Sequence, residues 1–98
     1  MRDLARLTAG DFESFVGDEF DVDPGTSAPV KIVLLKVLRP RDSPETQKPF
    51  AVHFLGPRAP VVTHDVHRLV NPEFGELEIF IGPVVPSNDG TTYEAVFT

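Results

Sequence analysis

A chain of 98 residues with 41% hydrophobic and 24% charged residues has the make-up of a globular protein with one modest core, and it leaves little room for a deep pocket. It contains no cysteine, which excludes disulfides, thiolate catalysis and zinc–cysteine sites. A net charge of −6 and a pI near 4.8 argue against nucleic acid as a partner, because its binders need a basic face.

Read from the N-terminus, the chain shows one helix signal. In "LTAGDFESFVG", Thr8 is placed to cap a helix and Asp11 stands three residues later, forming a capping box with Asp in place of Glu. Leu7 and Phe12 have the spacing of a hydrophobic staple. Phe12, Phe15 and Val16 share a stripe, and Gly17 can end the element. A helix over 8–16 follows. At two turns it needs tertiary support, so its aromatic face is expected to plug one end of a sheet structure.

The remainder reads as strands. "DEFDV" (18–22) runs into a Pro24-Gly25 turn. In "PVKIVLLKVLRP" (29–40), Val30, Ile32 and Leu34 alternate, but Val37 rather than Lys36 continues the apolar face. One extra residue near Leu35 therefore predicts a β-bulge. A polar, proline-broken loop, "RPRDSPETQK", is expected to be mobile. "PFAVHFLGP" (49–57) alternates Phe50, Val52 and Phe54. "VTHDVHRLV" follows, then a turn at "NPEFG" and the alternating Leu77, Ile79 and Ile81 of "ELEIFIGPV". "PSNDGT" supplies an Asp-Gly hairpin turn before "TYEAVFT".

Ten prolines and seven glycines cut the chain into short pieces. About six strands at roughly 8–12-residue spacing predict an all-β fold, a mainly antiparallel small barrel or sandwich carrying one short N-terminal helix, with residues 1–98 as a single β domain. The aromatics fall mostly on inward faces and read as core.

The chemistry candidates are few. His64 and His67 are three apart around Asp65, a spacing that shares a face on a helix but not on a strand. The flanking valines favour strand, so no metal site is expected. The simplest register pairs the strand over 49–57 with the strand that follows it, setting His53 opposite Arg68. "DVDPG" resembles the start of a calcium loop, but Ile32 stands where the bidentate glutamate belongs. Glu76 and Glu78 share a strand face and read as a solvated outer surface. With no phosphate loop or nucleophile elbow, the chain reads as a non-enzyme without a cofactor.

Charge is unevenly distributed. Residues 31–58 hold six bases against two acids, a balance of +4, and the remainder stands at −10. That polarity suggests a protein-interaction or assembly module whose contact surface is Lys36, Arg39, Arg41, Lys48 and Arg58, binding another protein or itself. The alternative is a small-ligand or carbohydrate-binding barrel using His53, His67 and Tyr93. The N-terminus lacks an apolar run of signal-peptide length and no stretch reaches membrane-span length, so a cytoplasmic address and no membrane partner are expected.

The segments "LTAGDFESFVGDEF", "PFAVHFLGP", "NPEFGELEIFIGPV" and "YEAVFT" resemble the DUF6916-like family of small bacterial proteins of unknown function, over nearly the whole chain. The resemblance implies a bacterial source and a compact, mainly β fold with one short N-terminal helix. It also implies an association with phage-tail-like or fibre-like proteins, but no activity or catalytic residue. Members carry Gly where this chain has Asp65 and an aromatic where it has His67, so the resemblance implies no family-wide role for the histidines.

Overall fold

The computed structural model describes residues 1–23, 28–41, 44, 46 and 48–98, with backbone alone for 85–87. Six strands form it: β1 (Glu19–Asp23), β2 (Val30–Leu38), β3 (Phe50–Gly56), β4 (Asp65–Asn71), β5 (Gly75–Ser87) and β6 (Gly90–Phe97). They close into an antiparallel barrel in the order β1-β2-β3-β6-β5-β4. The predicted all-β architecture with one short N-terminal helix is what the chain adopts. The Pro24-Gly25 turn and much of the 42–47 loop lie outside the described residues.

Alternation decides which side chains go inside. Phe20 and Val22 of β1, Val30, Ile32 and Leu34 of β2, Phe50, Val52 and Phe54 of β3, Leu77, Ile79 and Ile81 of β5, and Tyr93, Ala95 and Phe97 of β6 are all buried. The period-2 pattern breaks once in β2. Leu34 pairs with Phe54 and Lys36 with His53, so Leu35 is the unpaired residue of a bulge, at the predicted place. A second register shift falls between Pro83 and Val85, where a proline without an N–H sits in a long strand.

Thr8 caps the helix as read. Its hydroxyl accepts from the Asp11 N–H, and the Asp11 carboxylate accepts from the Thr8 N–H. The regular helix, α1, covers only Ala9–Glu13, shorter than the predicted 8–16. Beyond Glu13 the chain tightens into i→i−3 turns, with Phe15 N–H bonded to the Phe12 carbonyl and Gly17 N–H to Leu34 of β2. Gly17 takes φ 96°, which ends the helix and redirects the chain into β1. A short 3-10 turn, Leu4–Arg6, precedes α1. Phe12 plugs the barrel end as expected, its ring 5.0–6.0 Å from those of Phe50, Phe74 and Phe97.

Strand order departs from the simplest register. β3 does not pair with β4; it lies between β2 and β6, and β4 lies between β5 and β1. Residues 57–64 are long enough to carry the chain over the barrel end past β6 and β5, a Greek-key connection. That crossing is pinned from below, where the Val62 N–H donates to the buried Tyr93 hydroxyl at 2.8 Å. The β5–β6 hairpin also shifts by one residue: Ser87 pairs with Gly90, so the turn is Asn88-Asp89 and Gly90 opens β6. Gly90 is held at φ 146° against the Gly56 carbonyl, leaving no space for a Cβ.

Tyr93→Phe is expected to leave the Val62 N–H without its acceptor in a dry site, lowering unfolding free energy by about 1–3 kcal/mol. Urea unfolding measures this; an unchanged midpoint would mean the crossing segment is not held by this bond.

Candidate functional site

The barrel does not bring the three ligand-binding candidates into one site: His53 and Tyr93 hold neighbouring register positions on β3 and β6 but face opposite sides of the sheet. Tyr93 points inward and is fully buried, with its hydroxyl engaged by Val62. His53 lies on the outer face of β3, with Nε2 2.9 Å from Glu94 Oε2 on β6. His67 shares the inward parity of Leu69 but stands at the barrel mouth, bonding the Thr63 carbonyl at 2.7 Å. His64, just before β4, lays its ring across Gly82, where any Cβ would collide with it, and bonds the Pro83 carbonyl. Each histidine thus serves a different local contact, and among the described residues no three His, Asp or Glu side chains converge as a metal ion would require.

The basic candidates divide. Lys36, Arg39, Arg41 and Lys48 gather where β2 ends and β3 begins, while Arg58 sits past the opposite end of β3. Lys48 reaches the Leu4 and Ala5 carbonyls at 3.1 and 3.4 Å and so steadies the 3-10 turn. Arg39 stands 4.0 Å from Glu13 of α1. Lys36 is exposed beside His53.

The outer surface of the barrel has two unlike sides. Around β1 it is a ladder of charge. Lys31 pairs with Asp21 at 3.2 Å, and Arg68 bridges Asp23 of β1 at 3.6 Å and Glu76 of β5 at 2.7 Å. The Glu76 carboxyl is held below its usual range, first by the hydrogen bond from Arg68 and then by that residue's charge. Arg68 is raised correspondingly by the same bond.

Across β2, β3, β6, β5 and β4 one row of outward positions forms an apolar belt instead. Leu38 lies opposite Ala51, Ala51 opposite Val96, and Phe80 opposite Val66. Val96 and Phe80 line one shallow groove of about 190 Å³ over Gly82, which links β6 to β5. Exposure is 40% for Leu38, 54% for Val66, 57% for Phe80 and 58% for Val96, high for large apolar side chains placed side by side. A second groove of about 260 Å³ lies between Leu38, Ala51 and Val96, with Arg39 at its edge. Phe80 is the aromatic that departs from the inward pattern. The signal for the belt was present in sequence, since Val66, Phe80 and Val96 all occupy the polar phase of their strands.

A separate depression of about 670 Å³ opens at the end of the barrel between Pro29, Leu55, Pro57 and Pro60, with Lys31 and Asp89 at its margin. No helix among the described residues is long and apolar enough to cross a membrane.

Comparison with known proteins gives one family. The domain of unknown function DUF6916 matches residues 7–97, and the chain belongs to that family. No curated protein and no solved structure matches it.

The Arg68–Glu76 contact fixes a sign for its pH dependence. A carboxyl that titrates lower in the folded chain contributes stability above the unfolded value of about 4.3 and loses it as pH falls through the folded midpoint. Arg68→Gln is expected to move the Glu76 midpoint, followed by carboxyl NMR, up toward the ordinary range. A midpoint that stays put would assign the shift to another group.

Proposed function

We propose that this member of the DUF6916 family is a non-enzymatic protein-interaction or assembly module, working in the cytoplasm as part of a bacterial multiprotein system of phage-tail-like or fibre-associated kind. The belt carries the reading. Phe80, Val66, Val96 and Leu38 keep a band of apolar surface in water on the outside of a barrel whose interior is already filled by Phe12, Phe20, Phe54 and Tyr93. Contiguous surface of this kind is retained where a partner covers it. Lys36 and Arg39 stand at its β2 edge and Arg41 just beyond, so the basic segment read from the sequence becomes the polar margin of the contact rather than its centre. Nucleic acid and membrane are not the partners in this reading, and no cofactor enters it.

One observation favours a second reading. The depression beside Pro29, Leu55, Pro57 and Pro60 has the size and apolar lining of a small-ligand site. A ligand there would be met by Lys31 and Asp89, not by His53, His67 and Tyr93.

A photo-cross-linking residue placed at Phe80 or Val96, with Lys31 on the charged side as control, tests the interaction reading in the native host. Discrete protein adducts are expected from positions 80 and 96 and not from 31. Equal labelling at all three, or none at the belt, removes the proposal. Reversing Lys36 and Arg41 to Glu is expected to lower adduct yield several-fold by weakening the margin.

A further inference from the structure

We infer that the belt is covered by a second copy of this chain, docked about a two-fold axis that runs parallel to the strands above the seam between β3 and β6. The inference deepens the interaction reading and rests on it. Two independent properties of the belt, its charge and its relief, are self-complementary about that axis.

The first is charge. The belt is flanked by unlike charge, with Lys36 and Arg39 (4.0 Å from Glu13) at the β2 end, Glu94 on β6 against His53, and the exposed Glu78 on β5 in register with Arg68 of β4. A two-fold axis over the β3–β6 seam lays β3 of one copy on β6 of the other and β2 on β5. The basic end of each copy then faces the acidic side of its mate, twice over. Arg39 approaches Glu78 of the second copy, while Glu94 of the second copy comes over His53, one strand from Lys36. An isologous contact of this kind needs a surface that is its own complement, and bases along β2 with carboxylates on β6 and β5, to either side of the β3–β6 seam, meet that condition.

The second is shape. Val96 stands more than half exposed between two shallow grooves, one bounded by Leu38 and Ala51 and the other by Phe80 and Gly82. The same axis sets each Val96 over Ala51 of the second copy, at the mouth of the Leu38–Ala51 groove, so ridge enters groove on both sides at once. Leu38 and Phe80 of opposite copies flank this centre. The result is an apolar middle with a charged rim, the usual anatomy of a stable interface.

Strand addition has little to work with, because each strand has a neighbour on both sides in the closed order and one-sided pairing among the described residues is limited to parts of strands, such as β2 beyond Leu34 and β5 beyond Ile81. Face-to-face docking is the route that uses the surface this barrel leaves apolar.

Sedimentation equilibrium of the purified chain, with charge-swap variants, tests the inference. The wild-type chain is expected at twice its 10.8 kDa mass. Val96→Glu is expected to be monomeric. Arg39→Glu and Glu78→Arg should each weaken the dimer about tenfold or more, since like charges then face each other at both rims. An equimolar mixture of those two variants should recover wild-type affinity, because both rims are again paired in the heterodimer. A wild-type chain that stays monomeric to about 1 mM overturns the inference, as does a mixture no tighter than its components. Belt cross-links to a different protein, together with a monomeric wild-type chain, would sink the second copy and leave the interaction reading standing.

Discussion

Closure of the sheet depends on β1, a strand of five residues that must bond β2 on one side and β4 on the other. Among the described residues three pairs, Asp21–Val70, Val22–Leu69 and Asp23–Arg68, join it to β4. The seam is reinforced by a buried side chain. Asn71 donates from Nδ2 to the Glu19 carbonyl at 2.9 Å, while its Oδ1 accepts the Glu73 and Phe74 N–H groups at 2.9 and 2.8 Å. One amide thus shapes the β4–β5 turn and ties it to β1, with its polar atoms paired as a buried amide requires. Phe74, placed by that turn, meets Phe12, Phe15 and Phe20, so the plug at the barrel end and the seam are set by the same few residues.

Closure has a functional consequence. An open sheet of this size would expose unpaired N–H and C=O groups and could recruit another chain by strand addition. A closed barrel with a filled interior retains chiefly its outer face and its ends for recognition. On that outer face the β1–β4 seam is charged, with Asp21 and Asp23 of β1 and Arg68 of β4 facing water, while Val66 of β4, Phe80 of β5 and Val96 of β6 are apolar and exposed. The charge ladder keeps the seam solvated and the belt is left as the surface where association can bury apolar area.

Local features were legible in the sequence because local chemistry decides them. Alternation identified the inward residues of β2, β3 and β5, the offset between Leu34 and Val37 located the bulge, and Thr8 with Asp11 located the helix start. Neighbour relations were not legible. Placing β3 beside β4 assumes that consecutive strands pair, and nothing between Pro57 and His64 contradicts it until Val62 is seen bound to Tyr93. The hairpin shift has the same origin. Asp89-Gly90 is a strong turn signal, yet Gly90 is required one position on, where the Gly56 backbone leaves no room for a side chain. Helix length was overread because the Phe12, Phe15 and Val16 stripe persists through residues that turn toward β2 instead of continuing the helix.

The candidate site was half legible for a related reason. Charge can be counted along a chain, so the basic run from Lys36 to Lys48 stood out. An exposed valine on a strand is ordinary by itself and becomes informative only beside another. It is the order β2-β3-β6-β5-β4 that puts Leu38, Ala51, Val96, Phe80 and Val66 in one row, although they come from five separate stretches of sequence. The same order sets the basic β2 at one end of that row and Glu78 of β5 toward the other. A net charge of −6 opposes association of like chains at long range, over a distance that salt shortens to about 8–10 Å. Within that distance the local pattern governs, and here basic and acidic ends are separated by the apolar surface that a partner would cover.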